Sequence, residues 1–435
     1  CFPIRSVLYS KMLTERREDQ PRVEKKDRKW KEPRIPMDTQ IEPHLIVVGG
    51  GGEATYTLPR AYFEATGLKA DVLTTSGAPS LLLGSRILNL RTGVELGDDE
   101  ALLKAVEEIV ESRQGPALLV APSNVLLDWL LMIRSDLPDQ VILPYTSSEN
   151  IGSGSDKAEF AALCKELGIP HPVTVTVDRD RCEVEGSAPA PGYLKPVDQV
   201  EWGTVSFDGK RKVYAFRSLS EAEGYLRSAR EHGYRGRFVL QEEVPGNDEQ
   251  MRVLTLYRDR SGKVTLAHGG KVGLHTHGAS DEGVSEVILT GPQPELELQA
   301  SRILDRLEWR GFASFDVKVH SDTGVAYFLE LNPRTSATAH YMTASGVNPY
   351  LAWRNDWVLD RQGELIKPTR RVVYSSIPRK AIRQLTSERF LAEAKGVPIR
   401  HPLLSVRDMT PGKQSRWRTV RVLRTMRAKV QAHLS

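Results

Sequence analysis

The sequence predicts an α/β protein, with a doubly wound βαβ domain near its start and an α+β part beyond it. Three observations carry that expectation. A continuous apolar run, Leu45-Ile46-Val47-Val48, precedes four glycines and a helical pattern, as a buried parallel strand precedes its crossover helix. Strand-like and helix-like segments then alternate as far as Pro144. Much later, two alternating runs flank Ser321-Asp322-Thr323-Gly324, the pattern of a β-hairpin closed by a short turn.

In the first domain the glycine run leads into a helix through Ala65. There follow the strand Asp71-Val72-Leu73, a helix near Asp98 to Ser112, the strand Ala117 to Val120 and a helix through Leu131. Gly49-x-Gly51-x-x-Ala54 satisfies a dinucleotide-binding spacing, and Asp71 stands near the position of a ribose-binding acid. Four consecutive glycines satisfy many patterns, however, and a loop that opens a helix N-terminus holds anions of any kind. NAD binding is therefore one reading and a general anion loop another.

A new unit opens at Gly154-Ser155-Asp156-Lys157. Ser155 or Asp156 can cap a helix that runs to Leu167 and is stopped by Gly168-Ile169-Pro170. Tyr193-Leu194-Lys195-Pro196 places one lysine in a short apolar strand, either as an edge gatekeeper or as a cation aimed at phosphate. Trp202 to Phe207 with Asp208-Gly209 reads as a small-residue hairpin loop, a candidate lid. Phe238 to Val244 reads as a strand ended by Pro245-Gly246; its backbone can read an adenine edge, or it is a solvated edge strand. Asp248, just past the break, is placed to bond a ribose. His268, His275 and His277 lie among glycines, which favours a mobile loop over a metal site. Glu295 to Leu307 is an amphipathic helix leading into the hairpin.

The hairpin from Gly311 to Arg334 carries the chemistry. Side chains alternate along a strand, so Ala313, Phe315, Val317 and Val319 share one face and Ser314, Asp316 and Lys318 the other. On the return strand Val325, Tyr327, Leu329 and Leu331 are expected to be buried, with Glu330 and Asn332 pointing the opposite way. A turn near residue 323 sets Asp316 across from Glu330. Two carboxylates and an amide oxygen suit Mg²⁺, which is held by a few carboxylates plus substrate phosphates. Arg334 offers a fork of donors to a phosphoryl group. A hairpin whose polar face is merely wet is the bland alternative.

With 435 residues, 40% hydrophobic and 27% charged, the chain suits two or three soluble domains, expected at 37–150, 151–360 and 361–435. The longest apolar run, Val125 to Ile133, is broken by Asp128, which excludes a membrane span there. Cys1, Cys164 and Cys182 lack ligand spacing, which excludes a disulfide framework or a zinc site and points to a reducing, cytoplasmic setting. Of the net charge of +4, residues 1–36 hold +5 and residues 407–435 hold +7, leaving the body near −8. The basic balance belongs to the ends, so nucleic acid is not an expected partner. Residues 1–36 lack a signal-peptide core and precede Met37; they read as a disordered basic leader or as non-native upstream sequence. Trp417 to Leu434 alternates Arg418, Arg421, Arg424 and Arg427 with Val420, Leu423, Met426 and Val430. Such a helix packs on its own protein or meets a membrane surface or an acidic partner.

Several segments together resemble the ATP-grasp carboxylate–amine ligases, and within them the D-aspartate ligases of peptidoglycan cross-bridge synthesis. They are Asp156-Lys157-x-x-Phe160, Leu194-Lys195-Pro196, Gln241-Glu242-x-Val244-Pro245-Gly246-Asn247-Asp248, Gly311-Phe312-x-x-Phe315-Asp316-x-Lys318 and Glu330-x-Asn332-x-Arg334, continued by His340-Tyr341-x-Thr343. The resemblance covers roughly residues 45 to 360. It implies an ATP-grasp fold in which Lys157 and Lys195 hold ATP phosphates, Gln241, Glu242 and Val244 border the adenine, and Asp248 meets the ribose. It further implies Asp316, Glu330 and Asn332 as ligands of Mg²⁺, with Mn²⁺ as a substitute, and Arg334 and Lys271 as catalytic groups. The implied reaction joins an amino acid or other carboxylate to an amine acceptor, such as a peptidoglycan precursor, through an acylphosphate. One departure touches the acid. The family motif continues Arg-Gln-Gly-Arg-Ser, whereas Arg334-Thr335-Ser336-Ala337-Thr338 lacks the second arginine. A ligase of small peptides or specialised metabolites, and a non-catalytic nucleotide-binding module, are the alternatives.

Overall fold

The computed structural model describes residues 42–434 apart from 76, 78, 79, 114, 185 and 277–282. The expected leader at 1–36 and His277 lie outside the described residues. Among them, Asp156–Pro245 form one compact unit, and the residues up to Ser155 join those from Gly246 onward in a second.

The larger unit contains two sheets. The first is parallel throughout and ordered Leu88–Thr92, Ala70–Thr74, His44–Gly49, Ala117–Val120, Val141–Ile142. Its centre is the apolar run, where Leu45 to Val48 are fully buried between neighbours on both sides. Gly49 has a packing reason, since a Cβ there would fall 2.3 Å from the Thr55 side chain at the start of the Glu53–Thr66 helix. The strands Leu88–Thr92 and Val141–Ile142 had no sequence expectation. One is half-exposed with mixed polarity and the other is two residues long, so neither leaves a period-2 signal.

The second sheet runs Ala326–Asn332, Gly311–Val319, Met251–Arg258, Val264–His275, Ser285–Gly291, Val373–Ser375, Ile399–Arg400, antiparallel except for its last pair. The expected mobile loop around His268 and His275 is instead its long central strand. Glycine at 270 serves close strand approach there, because a Cβ would lie 2.6 Å from the Leu289 carbonyl oxygen. The hairpin has the expected register at its functional end, with Asp316 paired to Glu330 and Ser314 to Asn332. Toward the turn the pairing slips to Val317 with Phe328, leaving Leu329 as the extra residue of a β-bulge. The expected buried face therefore changes. Phe328 and Leu331 fill the core, while Val325 is exposed and Tyr327 and Leu329 are only half-buried.

The smaller unit is a four-stranded antiparallel sheet ordered Thr174–Val177, Phe238–Glu242, Gly192–Pro196, Tyr214–Phe216. The Leu219–Glu231 helix packs Leu226 and Ala229 into a cluster with Leu194, Phe238 and Leu240. The Lys157–Glu166 helix is capped by Asp156, whose carboxylate accepts from the Ala158 and Glu159 amides. The expected hairpin lid at Trp202 is instead the short helix Gln199–Thr204. Trp202 is drawn into the core, with its ring 4.9 Å from that of Tyr234 and Nε1 donating 3.1 Å to the Arg211 carbonyl.

The Lys413–Leu434 helix packs on its own protein through part of its apolar series, with Met426 buried and Val430 against the cluster of Val287 and Phe390, together with residues outside that series. Ser415, Arg418, Val422 and Met426 are buried, while Val420 and Leu423 face outward. Arg418 is fully buried, with Nη1 3.4 Å from the Asp408 carboxylate and 2.7 Å from the Leu403 carbonyl it donates to; its guanidinium lies 4.1 Å from the Tyr56 ring centre. Asp408 also accepts from Tyr56 OH at 2.5 Å, Ser85 Oγ at 2.9 Å and the Arg86 amide at 2.5 Å. Lys429 donates to Glu53 at 3.2 Å and lies 3.6 Å from the buried Glu286. No helix among the described residues is long and apolar enough to cross a membrane.

Two outcomes follow from these burials. Asp408→Ala should cost about 3–5 kcal/mol in urea unfolding, because it strands a buried guanidinium and three further donors; a loss within about 0.5 kcal/mol would contradict the packing described. Burial holds His268 and His401 down at about 4 and His340 well below its ordinary value. Between pH 6.5 and 4 the unfolded chain then binds protons that the native state refuses, so stability should be flat above pH 6.5 and fall below it. Melting temperatures from pH 8 to pH 4 at constant ionic strength test this.

Candidate active site

In the smaller unit, adjacent strands bring Lys195 and Gln241 together. Tyr193 pairs with Gln241 and Lys195 with Val239, so the two side chains lie on a cross-strand diagonal. Lys195 Nζ donates 2.9 Å to Gln241 Oε1, and the buried Gln241 amide nitrogen reaches Thr174 Oγ1 at 3.5 Å. The glutamine thereby fixes the direction of the ammonium. Glu242 pairs its backbone amide with the Val173 carbonyl at 2.8 Å, and its carboxylate accepts the Val173 amide at 3.0 Å. Val244 is buried, and Lys157 is half-buried in the first turn of its helix beside the capping Asp156.

In the larger unit the hairpin brings Asp316, Glu330, Asn332 and Arg334 together. Asn332 Nδ2 donates 3.2 Å to Glu330 Oε1, while Asn332 Oδ1 accepts from Arg334 Nη2 at 3.3 Å. Arg334 Nε donates 2.7 Å to Asn124 Oδ1, and Nη1 donates 3.0 Å to the Thr335 carbonyl. The Arg334 backbone oxygen accepts from Ser314 Oγ at 2.9 Å, and that hydroxyl is 3.0 Å from Thr255 Oγ1, which in turn accepts from Tyr341 OH at 2.8 Å. Burial presses the Arg334 pKa downward, and the Asp316 and Glu330 charges oppose it. A guanidinium stays charged under such pressure. The result is a fixed cation beside two carboxylates.

The donor set fits a hard divalent ion in part. Among the described residues no three His, Cys, Asp or Glu side chains cluster as a metal cage. Asp316 and Glu330, cross-strand neighbours, offer two hard carboxylates, which suits an ion completed by phosphates and water. The Asn332 oxygen accepts from Arg334 Nη2 and, also at 3.3 Å, from Asn124 Nδ2, so metal ligation by Asn332 requires it to exchange these contacts.

Asp248 and Lys271 are held elsewhere in the larger unit. Asp248 Oδ2 accepts the His275 amide at 2.8 Å. Lys271 Nζ donates to both Glu393 oxygens at 2.9 and 3.0 Å and lies 3.5 Å from Glu249, so the structure does not bring it into the Arg334 network. Asp71, considered as a ribose ligand for NAD, is buried and bonded to His44 at 2.5 Å, with Arg113 at 3.7 Å and Arg91 at 3.9 Å. Protein groups therefore satisfy that carboxylate. Asn124 has no counterpart in the sequence reading. It begins the Asn124–Met132 helix just after the capping Ser123, and its local pattern announces only a helix start.

No family model matches the chain. Among curated proteins, a D-aspartate ligase of Enterococcus faecium is 25% identical over 317 residues, covering 71% of this chain and 75% of that one. Among solved structures, an ADP complex of N5-carboxyaminoimidazole ribonucleotide synthetase superposes with a TM-score of 0.54 at 17% identity, over 77% of this chain and 81% of that one. An L-amino acid ligase from Bacillus licheniformis superposes with a TM-score of 0.52 at 16% identity, over 77% and 80%. The fold is that of the ATP-grasp enzymes.

Proposed function

We propose that this chain, an ATP-dependent carboxylate–amine ligase of the ATP-grasp fold, activates D-aspartate or a similar amino acid and passes it to an amine of a peptidoglycan precursor. The observation that carries the chemistry is the Asp316–Glu330 pair beside an Arg334 fixed by Asn124 and Asn332. A substrate carboxylate oxygen attacks the γ-phosphorus of ATP and ADP leaves. The amine nitrogen then attacks the acyl carbon, phosphate leaves, and the nitrogen loses a proton. Little covalent chemistry falls to the protein, whose task is orientation and charge. Mg²⁺ bound with ATP supplies charge neutralisation at the phosphates, and Asp316 and Glu330 would hold it, joined by Asn332 on exchange from Arg334 and Asn124. Arg334 meets the charge that develops on the transferred phosphoryl group. Lys195, aimed by Gln241, and Lys157 are assigned to the ATP phosphates, Gln241, Glu242 and Val244 to the adenine, and Asp248 to the ribose. Lys271, bound to Glu393 and close to Glu249, keeps the catalytic part that the resemblance implies. Use of ATP supports a cytoplasmic setting.

The 25% identical relative supports the choice of D-aspartate, and the Thr335-Ser336-Ala337-Thr338 departure makes the acid the part to test first. ADP release is measured with both enantiomers of each amino acid, with and without peptidoglycan precursors. Turnover with D-aspartate and a precursor is expected. Turnover with another acid alone would overturn the substrate, and none with any acid would overturn the ligase.

Glu330→Gln and Asp316→Asn should each keep the fold within about 0.5 kcal/mol yet lose turnover by orders of magnitude at saturating ATP. The double variant should cost less than the sum if both act through one ion. Wild-type rates in either single variant, read over a Mg²⁺ titration, would make the hairpin mere scaffold. Asn124→Ala removes the acceptor of Arg334 Nε and should lower turnover by about tenfold or more, whereas stability should change by only about 1 kcal/mol. Partial recovery in Asn124→Asp, which restores an oxygen at that place, distinguishes positioning from loss of fold.

A further inference from the structure

A second concentration of positive charge lies in the larger unit, outside the hairpin network. A cavity of about 300 Å³ is lined by Arg60, Arg370, Arg400 and Arg407, with Glu64 and His340. These arginines come from separate stretches of chain, and one carboxylate faces the four of them. Arg60 is the one paired with it, at 2.7 Å, and it donates further to the His401 and Pro402 carbonyls. Arg370, Arg400 and Arg407 make no ion pair among the described residues. Instead Arg370 Nε donates 2.8 Å to the Ala344 carbonyl, Arg400 Nη1 donates 3.2 Å to the Ile399 carbonyl, and Arg407 lies 5.8 Å from the Phe63 ring centre. Each guanidinium is thus held in part while its charge stays unmatched.

His340 supplies an independent sign. It is 1% exposed, it lines this cavity, and neither ring nitrogen has a partner. Buried polar groups are nearly always bonded, so an imidazole orphaned at both nitrogens needs an explanation. A bound oxyanion gives one for the nitrogen that carries the proton. It accepts from the imidazole N–H and supplies the countercharge the guanidinium groups lack. Neighbouring Tyr341 joins the hydroxyl chain to Ser314 and the Arg334 carbonyl, so one helical turn has the cavity on one side and the hairpin support on the other.

We infer that this cavity is a binding site for a small phosphate-type dianion, held by Arg370, Arg400 and Arg407 and by His340. The volume suits inorganic phosphate or a small phosphomonoester and lies at the lower limit for drug-sized ligands. The site is independent of the ligase assignment and does not stand or fall with it.

The test is thermal unfolding of the full chain at constant ionic strength, with a non-hydrolysable ATP analogue and Mg²⁺ saturating so that any nucleotide phosphate site is filled. Inorganic phosphate and glycerol 3-phosphate form two arms, and chloride is the control. Tm should rise with the logarithm of phosphate concentration. The Arg370→Gln/Arg400→Gln double variant should abolish that rise, and Arg407→Gln should weaken phosphate affinity about tenfold. All three side chains are exposed, so these variants should keep the parent Tm without phosphate. A rise with phosphate alone identifies the free ion as ligand, and a larger one with the ester identifies a phosphorylated small molecule. A rise no greater than chloride gives, or one that persists in both the double variant and Arg407→Gln, overturns the site.

Discussion

The bulge at Leu329 is the constraint on which the candidate site depends. A β-strand presents alternate residues to opposite faces, so a regular ladder cannot change which residues are buried partway along. The return strand makes that change. Phe328 faces the core near the turn, two residues before Glu330, and Leu331 faces it again just after. The extra residue lets the core take Phe328 and Leu331 while Glu330 stays opposite Asp316. Without it, either the phenylalanine or the carboxylate would sit on the wrong face.

Support for the site comes from far along the chain. Asn124 belongs to the parallel-sheet part of the larger unit, yet it bonds both Arg334 and Asn332. Ser314, Thr255 and Tyr341 then fix the backbone that carries the arginine. The guanidinium is therefore held, directly or through its backbone, from four separate stretches, which suits the role proposed for it.

Much of this was legible in residues whose signals are local. The apolar run at Leu45, the cap at Asp156 and the pairing of Asp316 with Glu330 all follow from period, capping chemistry and a turn. The misreadings share a cause, which is tertiary demand overriding local pattern. Glycines at 269 and 270 looked like a loop because close strand approach leaves no period. Trp202 looked like part of a lid because nothing nearby in sequence announces the aromatic cluster that takes it in. In the basic helix at 413–434, buried Asp408 and Glu286 draw Arg418 and Lys429 inward beside Met426, while Val420 and Leu423 of the apolar series face outward. Asn124 was illegible, since its partners lie some two hundred residues away.

The larger unit is assembled from two lengths of chain separated by the whole of the smaller one. That arrangement orders events in time. Asp156–Pro245 is contiguous and closes its own sheet, so it can fold from local contacts as soon as it is made. The bond from Asn124 to Arg334 must wait, because its two ends are synthesised on opposite sides of that insert. During synthesis the first parallel sheet, once made, would have to wait for Arg334 with its helix-start asparagine unengaged. The aimed arginine therefore forms after the smaller unit, and later still come the bonds that tie Asp408 back to Tyr56 and Ser85 and Lys429 back to Glu53, which close only when the C-terminal part has been made.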